Sequence, residues 1–268
     1  MVSDHVLHGE VVFPAAGYIA MAGEAIRQLN ILNNQRESSS EVYSIQNIRF
    51  ESPLMSASDA AIEVISSLKP IELADGVSSG WYNFTVCACD GAKWTVHCKG
   101  CVRAGSDYPI SGNYKEIRPL PGVVEPLRWY RTVQRCGLQY GRQFQRLQDI
   151  TADPLDHAAA ATVYQPEMQN GTYYAIHPAV IDQALQLIGI AASKGKLHTI
   201  SGAYIPARIE RLVVDGGTWS QISFEAQTFQ DKEKGQQAKI IGTTEGHTIF
   251  SLEGGVLAGL AGSSRTSP

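Results

Sequence analysis

The sequence predicts an α+β fold of two tandem units, each an antiparallel sheet wrapped around one central helix. Three observations carry that prediction. Two long Ala- and Gly-rich apolar segments, near residues 13–32 and 177–195, read as helices. Each is followed by four strand-like segments. A stretch rich in proline and glycine, residues 106–124, separates the two sets. A helix that is apolar nearly all round has to be buried. A sheet wrapping such a helix is the hot-dog arrangement, and two in tandem make a double hot-dog. The units are expected at residues 1–105 and 125–268, joined by the 106–124 linker. A chain of 268 residues is long enough to bury such a core without staples.

The elements follow in order. Pro14 suits the first position of the first helix, where its missing N–H would be unsatisfied anyway. Ala15, Ala16, Gly17, Ala20, Ala22, Gly23 and Ala25 keep that helix thin enough to lie close against a sheet. The segments "EVYSIQNIRFESPL", "AAIEVISSLKPIE", "GWYNFTVCACD" and "KWTVHCKGCVRA" read as strands, with Gly, Ser, Asp and Pro between them. The last two are joined by a "DGA" hairpin turn, so Cys87 and Cys89 share a face. With Cys98 and Cys101 they have a C-x-C and C-x-x-C spacing that could hold zinc. The aromatic and β-branched setting favours cysteine as a small buried hydrophobe instead.

In the second half, "EPLRWYRTVQRCGL" reads as a short helix, and "YGRQFQRLQDITADPLDHAAAATVYQP" turns into a strand pair. "HPAVIDQALQLIGIAASKG" is a long apolar helix ending at Gly195. Four strands follow: "SGAYIPARIERLVVD", "WSQISFEAQTFQ", "QAKIIGTTEG" and "HTIFSLEGGVLAGL".

Composition excludes several classes of function. A net charge of −4 argues against nucleic acid as a main partner, because neutralising phosphates needs a basic excess. No apolar run reaches the length of a membrane span. The N-terminus lacks the charged and apolar regions of a signal peptide. Five cysteines, an odd number and mostly clustered, read as those of a reduced, cytoplasmic protein.

Two places carry candidate chemistry. In the second helix, Asp182 and Gln186 are four residues apart, so they share a face and can hydrogen-bond. A carboxylate on a buried helix is costly unless it is paired or protonated. Ahead of the first helix, "DHVLHGEVVFP" supplies His5 and His8. A metal reading needs more ligands than this stretch offers, since it lacks the helical H-E-x-x-H spacing and a nearby Cys/His cluster. A histidine can serve as a base near neutrality, and an aspartate in an apolar helix can hold a proton to donate. Such a pair suits elimination of water from a β-hydroxy carbonyl compound: one group takes the α-proton and the other protonates the leaving hydroxyl. The developing enolate needs a donor, and the backbone N–H of Gly9 is the candidate. Glycine there would also let a thioester approach the chain closely.

These residues fall into recognisable motifs. "HVLHGEVVFP" has the form H-x3-G-x4-P, and "DQALQ" the form D-x3-Q, preceded by "HPAVI". "GLQYGRQF" is similar to G-Y-x-Y-G-x-x-F, with Leu138 and Gln139 as departures. "YIPARIERL" is similar to an L-P-x-x-[IW] stretch. Together they resemble the dehydratase domain of a polyketide synthase, in flavour the fungal highly reducing iterative type, over nearly the whole chain. The resemblance implies His5 as catalytic base and Asp182 as catalytic acid, with His8 incidental. It implies that Gln186 orients Asp182, that Tyr140 and Gly141 line the pocket, and that Pro14 starts the helix. It implies a β-hydroxyacyl substrate on the phosphopantetheine arm of an acyl carrier protein, an α,β-unsaturated thioester product, and no metal or redox cofactor. Arg142 stands where the family often has proline. The first motif begins at residue 5, where family members carry an earlier strand, so the chain is expected to be a piece of a larger synthase.

The partners this implies are the acyl carrier protein and other domains of the same megasynthase, with a homodimer as a further candidate. Carrier proteins are acidic, and Arg208 and Arg211 are candidates for docking one. Arg128, Arg131 and Arg135 also form a helical stripe, with Arg142 and Arg146 nearby. Two other functions stay open on the residues. One is a product-template or cyclase relative using a similar His/Asp pair on poly-β-keto chains. The other is a non-catalytic double hot-dog serving carrier binding and dimerisation. D-x3-Q and Tyr140–Gly141 favour the dehydratase over the first; the presence of both His5 and Asp182 argues against the second.

Overall fold

The computed structural model describes residues 2–34, 42–56, 62–74, 78–89, 91, 93–106, 116–164, 174–217 and 219–259. Asp90 and Ala92 of the expected hairpin turn and residues 107–115 of the expected linker fall outside these residues.

The first long helix, α1, spans Ala15–Asn34. After it come β3 (Tyr43–Phe50), β5 (Glu63–Glu72), β6 (Ser78–Cys89) and β7 (Trp94–Ala104). The second, α3, spans Pro178–Ala192 and precedes β12 (Tyr204–Val214), β13 (Gln221–Asp231), β14 (Gly235–Thr244) and β15 (His247–Gly259). This is the expected plan of one helix and four strands, stated twice. Between the two sets lie β8 (Gly122–Val123), α2 (Pro126–Arg135), β10 (Gln148–Ala152) and β11 (Ala158–Tyr164).

All the long strands belong to one antiparallel sheet of eleven, in the order β5-β6-β7-β3-β12-β15-β14-β13-β11-β10-β8. The two sets join where β3 pairs with β12, Ile45 opposite Leu212 and Tyr43 opposite Val214. Gly122 and Val123 were expected in the linker; they pair with Ala152 and Thr151 as a short edge strand. Two residues are too few for a periodic pattern to reveal.

Both long helices lie inside this sheet and touch each other. α3 is buried on every side: Val180, Ile181, Ala184, Leu187 and Ile190 have no exposed surface. Pro178 starts it, and the preceding His177 caps it by accepting the Ala179 N–H at 3.1 Å. Burial and the Arg146 charge push the His177 pKa down to about 4, so the ring is neutral and able to accept. The helix stops at Ala192, three residues before the expected end. Lys194 (φ 53) and Gly195 (φ 70) turn left-handed, and their N–H groups donate to Ala191 and Ile190. That is a Schellman cap, with lysine in the position glycine usually takes.

Gly23 shows why α1 is made of small residues. A Cβ there would stand 2.5 Å from the ring of Tyr43 on β3, so only glycine allows helix and strand to approach this closely. The cysteines differ from expectation. Only Cys98 is fully buried, which pushes its pKa up to about 12; Cys87, Cys89 and Cys101 are half-buried. Cys87 and Cys89 do share a face of β6, but it is the outer one, while Phe84, Val86 and Ala88 point inward.

Candidate active site

A second, small sheet builds the site. Its order is β4-β2-β1-β9, with β1 at His5–Leu7, β2 at Glu10–Val12, β4 at Met55–Ser56 and β9 at Leu138–Tyr140. β1 and β2 form a hairpin in which Leu7 faces Glu10, so His8 and Gly9 are its two-residue loop. Both have positive φ, 50° and 89°, as a type I′ turn requires. Gly9 is therefore needed for the turn, but it sits exposed at the hairpin tip and does not line the cavity. His8 is exposed at the same tip, and its N–H donates to the Gly137 carbonyl.

β1 pairs with β9 so that His5 lies opposite Tyr140. The Tyr140 and Phe144 rings stand edge-on to the His5 ring, with centroids 5.5 and 5.6 Å away. His5 is 7% exposed. Its Nδ1 is 3.0 Å from the Val12 carbonyl oxygen. A carbonyl only accepts, so Nδ1 carries the proton and a neutral ring has its lone pair on Nε2. Nε2 faces Asp182 Oδ1 on α3 at 3.9 Å.

Asp182 is 5% exposed. Burial raises its pKa above the usual carboxylate value, and the opposing effects of the nearby His5 and the Gln186 hydrogen bond are smaller. Gln186 Nε2 donates to Asp182 Oδ2 at 3.0 Å and to the Phe144 carbonyl at 3.1 Å. Trp129 Nε1, on α2, donates to Gln186 Oε1 at 3.4 Å. Burial, followed by the Asp182 charge, pushes the Tyr140 hydroxyl well above its ordinary pKa, so it stays protonated.

These groups open onto a cavity of about 450 Å³. His5, Asp182, Tyr140 and Gln186 line it; Gly9, Pro14 and Gly141 do not. Pro14 is buried at the start of α1. Gly141 is a packing residue: its N–H donates to the Asp4 carbonyl at 2.5 Å, and a Cβ would strike the Asp4 side chain. The turn after it closes with a Phe144 N–H to Gly141 carbonyl bond, so Arg142 serves in the position where proline is favoured. Arg208 donates to the Lys234 carbonyl, and Arg211 is ion-paired with Glu253 across β12 and β15. Both docking candidates are thus exposed, but both are engaged within the chain.

Sequence reasoning missed three lining residues that matter. Ala15 opens α1 at the cavity wall, where the first N–H groups of a helix have no intrahelical partner. Its signal was Pro14 just before it. Trp129 comes from the buried face of α2, whose amphipathic pattern was legible. Thr228 reaches the cavity from β13, and nothing in the sequence marked it.

A continuous antiparallel sheet around two buried helices, with His5 of β1 and Asp182 of α3 facing each other at one cavity, defines a double hot-dog fold. Solved structures of this shape match nearly the whole chain. The dehydratase domain from the CurF module of the curacin polyketide synthase has a TM-score of 0.78 at 20% identity, over 97% of this chain and 88% of that one. The dehydratase domain of RzxB from Pseudomonas fluorescens has a TM-score of 0.75 at 16% identity, over 96% of this chain and 88% of that one. The family model for the polyketide synthase dehydratase N-terminal domain matches residues 112–255, and that for the polyketide synthase dehydratase domain matches residues 1–88.

Among curated relatives, the highly reducing polyketide synthase g433 of a Fusarium species is 37% identical over 207 residues, 77% of this chain and 8% of that protein. The highly reducing polyketide synthase gloL of Glarea lozoyensis is 34% identical over 254 residues, 94% of this chain and 10% of that protein. The chain belongs to the polyketide synthase dehydratase family, a family of hydro-lyases that act in polyketide chain assembly. It spans only 8% to 10% of the length of these relatives. No helix among the described residues is long and apolar enough to cross a membrane.

Proposed function

We propose that this chain removes water from a β-hydroxyacyl thioester held on the phosphopantetheine arm of an acyl carrier protein, with His5 as base and Asp182 as acid. The supporting observation is that His5 and Asp182 face each other at one cavity. With Nδ1–H donated to the Val12 carbonyl, the neutral tautomer of His5 has its lone pair on Nε2. Asp182, 3.9 Å away, is biased by burial to hold its proton.

The step balances as follows. His5 Nε2 takes the α-proton, and the electron pair of that C–H bond forms the double bond as the β C–O bond breaks. Asp182 gives its proton to the departing oxygen, which leaves as water. The reaction is redox-neutral, and side chains serve both proton transfers, so it calls for no cofactor of its own. Charge that develops on the thioester oxygen would be met by the N-terminal end of α1 at Ala15, which carries free N–H groups and a positive dipole. The protonated Tyr140 hydroxyl beside His5 is a second donor. Gln186 holds the Asp182 carboxyl toward the cavity.

The carrier protein is read as docking on α2. Arg128, Arg131 and Arg135 are exposed on this helix, whose opposite face presents Trp129 and Val133 to the cavity. An acidic carrier on that stripe would be close to the cavity it has to serve. The remaining partners would be the other domains of the synthase.

The experiment is to incubate the chain with a β-hydroxyacyl pantetheine thioester and follow the conjugated enoyl product. Turnover that is lost in both His5→Ala and Asp182→Asn supports the assignment. Turnover that survives in either variant refutes it.

A further inference from the structure

The sheet face toward α3 changes from large to small residues as it passes the end of that helix. Across β13, β14 and β15, Ala226 lies opposite Ile240 and Ile240 opposite Leu252. These three have no exposed surface and lie outside the cavity. Residues two apart on a strand share a face. The next row on this face is Thr228 opposite Ala238, with Ala238 opposite Gly255 past a shift in register. All three of these line the cavity. The helix changes in the same place. From Pro178 to Ala191 every residue of α3 is buried except Gly189, and Ala192 after it is half-buried. Gly189 and Ala192 line the cavity about 10 and 15 Å beyond Asp182, at a rise of about 1.5 Å per residue. Two bonds hold the walls at one level. The Thr228 N–H donates to the His157 carbonyl at 2.9 Å, and His157 Nδ1 donates to the carbonyl of Ala192 at 3.1 Å.

Protein interiors are close-packed, so small residues facing each other from helix and sheet leave a gap that the chain does not fill. Thr228 is 7% exposed, and its Oγ1 has no hydrogen-bond partner among the described residues. Buried polar atoms are almost always paired, so the gap at Thr228 is one that something from outside enters. Gly189 also has a packing reason. A Cβ there would stand 3.1 Å from Cη2 of Trp129, which walls the gap from α2. Glycine weakens a helix interior, so its presence in α3 marks space that is needed beside the helix. Apart from the Thr228 hydroxyl, the walls formed by Leu185, Ile188, Gly189, Ala192 and Ala238 are apolar. The amides of a pantetheine arm would lack partners along them, whereas a hydrocarbon chain needs none.

We propose that this gap takes the end of the acyl chain remote from the thioester, and that Ala192 and Ala238 set the longest chain the enzyme dehydrates. The α- and β-carbons stay between His5 and Asp182. The carbons beyond them run along α3, over Gly189, and end between Ala192 on the helix and Ala238 on the sheet. Each methylene that enters the gap leaves water and strengthens binding. A chain longer than the gap gains nothing more and has to fold back or leave its end in water. This inference rests on the dehydratase reading for the position of the thioester.

The test uses unbranched 3-hydroxyacyl pantetheine thioesters from hydroxybutanoyl to hydroxydodecanoyl. With the 268-residue chain, kcat/KM should rise several-fold with each lengthening and level off once the gap is full. In Ala192→Leu and in Ala238→Leu the levelling should come at a shorter chain. The ratio of kcat/KM for the best long chain over hydroxybutanoyl should fall about tenfold or more. Melting temperatures check folding, and Ala192→Val or Ala238→Val serves at a position where leucine does not fold. A wild-type profile flat with length overturns the proposal, and so does a profile that the variants at both positions retain. An equal loss at every length also overturns it, because it places the pantetheine arm in the gap. Calorimetry with the matching acyl thioesters that lack the 3-hydroxyl separates the two readings. Affinity that rises with length and is cut short in the variants, with no turnover of any hydroxyacyl member, keeps the chain-length site and removes the dehydratase. Turnover with no dependence on length keeps the dehydratase and removes the chain-length site.

Discussion

Gln186 holds Asp182 from one turn further along α3, donating to Oδ2 at 3.0 Å while the same nitrogen donates to the Phe144 carbonyl at 3.1 Å. The acid is thereby tied both to its own helix and to the turn that follows β9. Replacing Gln186 with leucine removes the tie and leaves the volume nearly the same. The expected result is a fall in kcat of about tenfold with little change in KM. Because this hydrogen bond favours the charged carboxylate, its loss should also move the alkaline limb of the pH–rate profile upward. A pH profile of the variant that matches the wild type would remove Gln186 from the site.

The raised pKa of Asp182 has a definite sign in two measurements. The proposed acid acts in its protonated form, so Asp182 should set the alkaline limb, with the rate falling as pH rises through the raised value. Stability follows the same direction. The folded state binds this proton more tightly than the unfolded state, so its contribution is fully present below the ordinary carboxylate pKa. It is lost as pH rises toward the folded value. In Asp182→Asn that loss should disappear. Urea unfolding of both proteins across this window checks it, and a wild-type stability curve parallel to that of the variant would contradict the assignment.

His5 and His8 are three residues apart and have different surroundings. His5→Ala should lower the rate by about 10²- to 10⁴-fold, the usual weight of a positioned base. His8 is in the hairpin turn at φ 50, outside the cavity. His8→Gly should leave the rate unchanged and the hairpin intact, since glycine adopts positive φ freely. Steady-state rates on a pantetheine thioester compare the two, and a large loss in His8→Gly would reverse the assignment.

Gly23→Ala sets two effects against each other. Alanine raises helix propensity by about 1 kcal/mol. Its Cβ would also meet the Tyr43 ring at 2.5 Å, and that ring is only 5% exposed and has no room to swing aside. Overpacking of this kind costs about 1–3 kcal/mol. A net loss of stability is expected, measured by chemical denaturation; a more stable variant would mean that helix and strand can separate freely.

The double variant Arg128→Glu/Arg131→Glu reverses the exposed stripe on α2. It should lower kcat/KM for carrier-borne substrate by about tenfold at low salt and much less at high salt. Turnover of the free pantetheine thioester should change far less. Equal losses on both substrates would place the effect inside the cavity and end the docking proposal.

Much of this molecule was legible from the chain alone. α1 and α3 were visible because a helix buried on all sides leaves a long apolar run, and each began at a proline. The long strands were visible because alternation persists over eight or more residues. His5 and Asp182 stood out because each is polar beside a long apolar segment. Other elements left no such trace. β1, β2, β4, β8 and β9 have two or three residues each, too few for any period to show.

The sequence by itself therefore determined the elements whose signal is local and repeated: two buried helices, the strands that wrap them, and the residue types able to exchange protons. Tertiary structure decided what those residues face. Pairing of β1 with β9 set Tyr140 against His5, and the His8–Gly9 turn set Gly9 at an exposed hairpin tip. The β13–β14 register put Thr228 opposite Ala238 on the face toward α3 and Gln237 opposite Phe229 on the other face. The physical reason is that a period reports which side of an element is buried, whereas the partner across the gap comes from strand register and helix packing between segments far apart in the chain.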